Sequence, residues 1–251
     1  MPMELKEPYS QVLEPLTTLG FVAARTQKLK VGTSILVLPQ RNPVLVAKQV
    51  ATLDVFSKGR VILGLGAGWA EKEFGFLNSD FHRRGRAFDE SIRLMRVLWR
   101  EELINFEGEF FRIKDALFLP KPVSGGVPVW IGGNGPTAVK RAAMLGDGWH
   151  PVGPTLQTFR TGVEGIRGSG RRLTVSMRMT TDLRKKREEV RLPSGERRAI
   201  ASGSSAEIRK TIDEYEEAGL DYFCASISHT SAAEILADLK KFAEEVVRSY
   251  A

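Results

Sequence analysis

Three loops, two of them glycine clusters, are the segments most able to do chemistry here, and each follows a short apolar run. Gly132, Gly133 and Gly135 surround Asn134 in "VPVWIGGNGPTAVKRAAMLGDGWHPVG", residues Val127–Gly153. Without side chains, such a loop lets backbone N–H groups approach a ligand closely. Pro136 then opens a helix whose free N–H groups and positive dipole end favour an anion. Gly64, Gly66 and Gly68 occupy the same place in "GLGAGW", and Thr33 and Ser34 precede bulky Ile35 in "GTSILVLPQRNP". One such loop reads as tight strand–helix packing. Three at equivalent strand ends point instead to a phosphate-bearing ligand with a flat ring. The G-x-G-x-G spacing of Gly64, Gly66 and Gly68 is not the dinucleotide fingerprint.

Other reactive side chains are sparse. His150 lies at a strand end in "DGWHPVG" and is open to two readings, a site group or a packed core residue. His82 and His229 fall in loops, and three scattered histidines without paired carboxylates argue against a metal site. Cys224 is the only cysteine, so no intrachain disulfide forms and a reducing cytoplasm is expected. It reads as core rather than nucleophile, and no acyl-transfer triad is apparent. Glu71 and Glu73 read as first-turn helix acids. No catalytic acid or base can be named.

The elements that position these residues alternate strictly. A helix is expected over Gln11–Thr26, then a strand at Val31–Leu36 and a helix capped by Asn42 with Pro43 at its first position. That helix ends at Gly59. Further strands are expected at Val61–Leu65, Val129–Ile131, Trp149–Val152, Thr174–Met179 and Tyr222–Ile227. Phe88, Ile92, Met95 and Trp99 share one helical face. "INFEGEFFRIKDALFLPKPV" reads as a hairpin turning at Glu107-Gly108, within an excursion at about 100–126. A helix is expected near Leu156–Ile166. Ser204 with Glu207, and Ser231 with Glu234, have the spacing of capping boxes for the last two helices. Helices between strands imply a parallel sheet of the (β/α)8 kind, with six strands where eight are needed.

Composition narrows the partners. The net charge of +7 from 37 basic and 30 acidic residues is concentrated in Ile166–Arg198, without interleaved aromatic residues for base stacking. A solvated basic face is expected, and no nucleic acid. No apolar run reaches membrane-spanning length, and no signal-peptide core is present, so a soluble cytoplasmic protein without membrane contact is expected.

Three segments closely resemble the luciferase-like monooxygenase superfamily, and within it the branch that uses coenzyme F420. They are "GTSILVLPQRNPVLVAKQVATLDVFSKGRVILGLGAGW", "FEGEFFRIKDALFLPKPV" and the Val127–Gly153 stretch. The likeness runs from about Leu13 to Gly153 and loosens afterwards. It implies a TIM-type barrel, a single domain over residues 1–251, and a flavin or deazaflavin cofactor. Ser34–Ile35 matches the place of a non-prolyl cis peptide and a bulge against the central ring. Gly66, Ala67 and Gly68 match the loop that contacts ring and tail, and Gly132, Gly133, Asn134 and Gly135 match the phosphate loop. Trp69 stands where relatives often carry a proton donor, so it would wall the substrate pocket or pack, and His150 is a second pocket candidate.

The resemblance also implies two strands and a helix ahead of Gln11. Their absence reads as an N-terminally incomplete chain rather than a shortened barrel closed by a partner subunit. The activity implied is hydride transfer between F420 and a small organic substrate, in a homodimer. Two alternatives remain open, an FMN-dependent monooxygenase and a non-catalytic or degenerate flavin-binding scaffold.

Overall fold

The computed structural model of the chain describes residues 12–186, 189–191, 195–227 and 231–250. They fall into two compact units. The first comprises Glu14–Gly132 and Lys140–Gly148; the second holds residues 12–13, Gly133–Val139 and the described residues from Trp149 onward.

In the first unit, helix α1 (Pro15–Arg25) packs on α2 (Pro43–Ser57). The side chain of Asn42 caps α2 by accepting from Val44 and Leu45 N–H, with Pro43 at the first position. The helix stops at Lys58 and Gly59, both left-handed. The expected strand Val31–Leu36 is instead two short ones, β1 (Val31–Gly32) and β2 (Leu36–Val37). Both pair in parallel with one edge of β3 (Val61–Gly66), and the chain bulges away between them at Thr33–Ile35. The other edge of β3 pairs in parallel with β6 (Val129–Gly132). These strands are almost wholly buried, which suits their continuous apolar runs.

After β3 come the short helix α3 (Glu71–Phe76) and the amphipathic α4 (Arg84–Arg100). Phe88, Ile92, Met95 and Trp99 are all buried on the expected face of α4. The Trp99 indole N–H donates to Ala47 O at 3.1 Å, tying α4 to α2. The expected hairpin is β4 (Ile104–Glu107) with antiparallel β5 (Arg112–Ala116). Its tip is pinned to α4 by buried Glu90, whose carboxylate accepts N–H bonds from Glu109, Phe110 and Phe111 at 2.8–2.9 Å.

Helix α5 (Pro136–Leu145) follows β6, and β7 (Gly148–His150) is shorter than expected, extended by a single bridge between Val152 and Arg178. In the second unit, β8 runs over Thr174–Asp182, three residues beyond its expected end. It pairs in parallel with β11 (Tyr222–Ser226) along one edge. At Thr180–Asp182 it also pairs with β10 (Arg197–Ser202), whose other partner is antiparallel β9 (Glu189–Arg191).

The β9–β10 hairpin corrects the sequence reading, which placed no strand between Met179 and Tyr222 and read the charges of this basic stretch as a solvated face. Four of its basic side chains are engaged in ion pairs. Arg184 meets Glu234 and Asp238, Lys186 meets Glu207, Arg197 meets Glu189, and Arg198 meets Glu196.

Helices α6 (Leu156–Arg167), α7 (Ser205–Glu217) and α8 (Ala232–Glu245) complete this unit. Ser204 and Glu207 form the full reciprocal capping box on α7. Ser231 caps α8 through Glu234 N–H, but the Glu234 carboxylate turns to Arg184 and to the Ser231 hydroxyl. The second box is therefore only half of one, because a nearby guanidinium competes for the carboxylate. No helix among the described residues is long and apolar enough to cross a membrane.

Candidate functional site

In the first unit, the carboxyl ends of β3 and β6 converge on one side chain, that of Ile35, which immediately precedes β2. The peptide between Ser34 and Ile35 is cis and non-prolyl, as the resemblance implied. A Cβ placed on Gly66 would collide with Ile35 Cδ1, and one on Gly132 would lie 2.9 Å from Ile35 Cγ2. A Cβ on Gly64 would strike Thr33 O, and the Thr33 hydroxyl donates to Gly64 O at 2.6 Å. Gly64, Gly66 and Gly132 thus make room for residues 33–35. The half-buried Ile35 is left as an apolar platform at the strand ends.

Gly68 has φ +80, and a Cβ there would press into Val37 and the Phe74 ring. Arg84 holds this loop by donating from Nε to Gly68 O at 3.1 Å, its guanidinium lying 3.8 Å over Phe81. Beyond the loop Trp69 is 79% exposed, so it does not pack in the core. Glu71 and Glu73 lie in the first turn of α3 as expected, and Glu73 accepts from Gln40 at 3.1 Å. His82 is exposed, 3.7 Å from Glu71, and His229 lies outside the described residues.

The second unit builds the loop Gly133–Gly135. Gly133 has φ +127, which few other residues adopt, and a Cβ on it would lie 2.8 Å from that of Ala138. The Asn134 side chain is spent on protein. Its Oδ1 accepts from Val152 N–H at 2.9 Å, and its Nδ2 donates to Val152 O at 3.0 Å and to Glu196 Oε1 at 2.8 Å. Gly135 O accepts from Ala138 and Val139, starting α5. A Cβ on Gly135 would meet nothing within 4 Å. Neither Asn134 N–H nor Gly135 N–H has an acceptor among the described residues, and α5 carries no acidic residue in its first turn. Open amides at a helix start suit a phosphate, and the carboxylate beside the loop, that of Glu196, is paired with Arg198 at 3.4 Å.

His150 is 2% exposed, and its Nδ1 lies 2.8 Å from the Ser176 hydroxyl. That hydroxyl also reaches Trp149 O at 3.1 Å. A carbonyl can only accept, so the assignment satisfying both contacts has Nδ1–H donating to Ser176 Oγ. Burial, followed by the nearby Arg178 charge, lowers the His150 pKa to about 4, which keeps the ring neutral near pH 7. The same Arg178 opposes the upward push that burial gives the half-buried Cys224 thiol. Sequence reasoning missed Trp149, Ser176, Arg178 and Glu196. The one signal available was that a buried indole N–H must find an acceptor.

A cavity of about 360 Å³ in the first unit lies at the amino ends of β3 and β6, away from the glycine loops. Its charges balance, with Asp54 and Asp147 beside Arg96 and Arg100. Among the described residues, no group of three or more His, Cys, Asp or Glu is placed to hold a metal ion.

The chain is similar to known proteins at two levels, sequence and fold. The F420-dependent glucose-6-phosphate dehydrogenase of Amycolatopsis mediterranei (strain U-32) is 39% identical over 138 residues, 53% of this chain and 41% of that protein. Its counterpart in Mycobacterium avium (strain 104) is 40% identical over 139 residues, with the same shares covered. The matched stretch therefore spans about two fifths of these relatives' length. Among solved structures, monooxygenase RslO1 from Streptomyces bottropensis superposes with TM-score 0.82 at 22% identity, over 95% of this chain and 83% of that one. An F420-dependent secondary alcohol dehydrogenase superposes with TM-score 0.77 at 23% identity, over 94% of this chain and 85% of that one. At such identities the likeness establishes the fold, the luciferase-like TIM-barrel type. The model of the luciferase-like monooxygenase family matches residues 2–193, three quarters of the sequence, and the chain belongs to that family.

Proposed function

We propose that this protein is an oxidoreductase that moves a hydride between coenzyme F420 and a small organic substrate. The observation that carries the reading is the pair of open amides, Asn134 and Gly135, where α5 begins without acidic residues. A phosphate-bearing tail fits there. The names of the relatives from Amycolatopsis mediterranei and Mycobacterium avium favour F420 over FMN.

When bound, the deazaflavin supplies the hydride chemistry at its ring, and the chain's own residues bind and orient it. In the proposal, Gly133, Asn134 and Gly135 hold the phosphate through backbone N–H groups. Ser34, Ile35, Gly66, Ala67, Gly68 and Gly132 meet the ring, with Ile35 offering an apolar face that excludes water. Trp69, exposed beyond Gly68, walls the substrate pocket, and His150, a neutral group held by Ser176, is the second pocket candidate.

A homodimer is the proposed assembly. The large apolar side chains Phe21, Leu45 and Phe56, left exposed on α1 and α2, support it. The lone cysteine suits a cytoplasmic setting.

The test is to incubate the protein with oxidised F420 and panels of alcohols and sugar phosphates, following loss of the deazaflavin's visible absorbance. Turnover on any member supports hydride transfer. Oxygen consumption with reduced FMN, and no F420 turnover, would establish a monooxygenase instead.

A further inference from the structure

We infer that Trp149 is a positioning residue for the anion loop. By holding the Gly133 carbonyl, its indole N–H aims the Asn134 amide N–H at the cofactor's phosphate. This deepens the proposed function and rests on it.

The geometry begins with the indole. Trp149 is fully buried, and its Nε1–H donates to Gly133 O at 2.9 Å. Its direction is set by packing rather than by the loop. The ring stacks on Phe159 with centroids 5.7 Å apart and planes 21° apart, and Phe159 meets Tyr215 edge-on at 5.2 Å. Tyr215 is itself fixed, its hydroxyl donating to Pro154 O at 2.6 Å. Gly162 leaves room for the indole, because a Cβ there would collide with the ring.

A trans peptide is planar, and its carbonyl points opposite to the N–H of the next residue. Fixing Gly133 O on the indole therefore turns Asn134 N–H to the other side, away from the aromatic stack. The Asn134 side chain cannot fold back to claim that N–H, since both ends of its amide are engaged by Val152 and Glu196. The loop is thus anchored at two adjacent residues, and its outward amide is preorganised before any ligand arrives. Stacking alone would be met by a phenylalanine; the N–H is the part of Trp149 that reaches the loop.

The test is a fluorescence titration of wild type and Trp149→Phe with two ligands: F420, and the deazaflavin chromophore without its phosphate-bearing tail. Phenylalanine keeps the stack and removes the donor. Trp149→Phe is expected to bind F420 about tenfold more weakly, the effect of about one hydrogen bond, while binding the tail-less chromophore within about twofold of wild type. Asn134→Gly, which removes the second anchor from a half-buried position, carries the same expectation and serves if the tryptophan variant fails to fold. Equal weakening for both ligands would mean general loosening and overturn the inference. Unchanged F420 binding would overturn it while leaving the proposed function standing. A wild type that binds neither ligand would overturn both.

Discussion

His150 shows how far a single residue's environment decides its chemistry. In the folded chain its pKa is about 4, against 6.5 for an ordinary histidine. Between those values the unfolded chain takes up a proton that the folded chain refuses. Stability is therefore fully present above about pH 6.5 and falls as the pH drops toward 4, by on the order of 3 kcal/mol in total. Urea denaturation across that range should show the loss, and His150→Gln should flatten it. An equally steep fall in the variant would contradict this assignment.

The glycines are the complementary case. Their positions at strand ends were legible in the sequence, but their reasons were only partly so. Gly64, Gly66 and Gly132 serve Thr33 and Ile35, Gly133 makes room for Ala138, and a Cβ on Gly135 would meet nothing within 4 Å. What an absent Cβ would strike is a contact between residues distant in sequence, which a local pattern cannot report. For the same reason Asn134 read as a ligand contact, although its side chain is wholly committed to Val152 and Glu196.

Elements with a strong local signal were legible. The buried stripe of α4, the Asn42–Pro43 start of α2, the Ser204–Glu207 box and the β4–β5 hairpin all follow their sequence patterns. The β9–β10 hairpin was not, because its strands are short and largely charged, and β10 is held by its pairing with β8. The division of the first strand into β1 and β2 was also hidden, since a bulge leaves no periodic trace.

Two element-scale outcomes follow from the contacts. Glu90→Ala should strand three N–H groups of the hairpin tip and cost about 2–4 kcal/mol in chemical denaturation, with faster hydrogen exchange at Glu109–Phe111. Unchanged exchange there would show that the tip is held by something else. Gly162→Ala should drive a methyl group into the Trp149 ring and cost about 1–3 kcal/mol through overpacking of α6. A neutral result would mean that the indole can yield, which would also weaken its role as a rigid anchor.

At the scale of the whole molecule, family membership rests on three quarters of the sequence, while the matched relatives share about two fifths of their own length with it. Cofactor binding is the property that joins fold to function. A ligand at a hundredfold its Kd stabilises a folded protein by about 2.7 kcal/mol. For a chain of this size that corresponds to a rise in Tm of roughly 5–10 °C with F420. No comparable rise with F420 in a melting scan would argue against a preformed site.

The most direct measurement is an equilibrium fluorescence titration of the purified protein with F420 and, separately, with FMN. Saturable binding of F420, tighter than that of FMN, is the expected result. Preference for FMN, or saturation by neither, would contradict the assignment of this chain as an F420-dependent oxidoreductase.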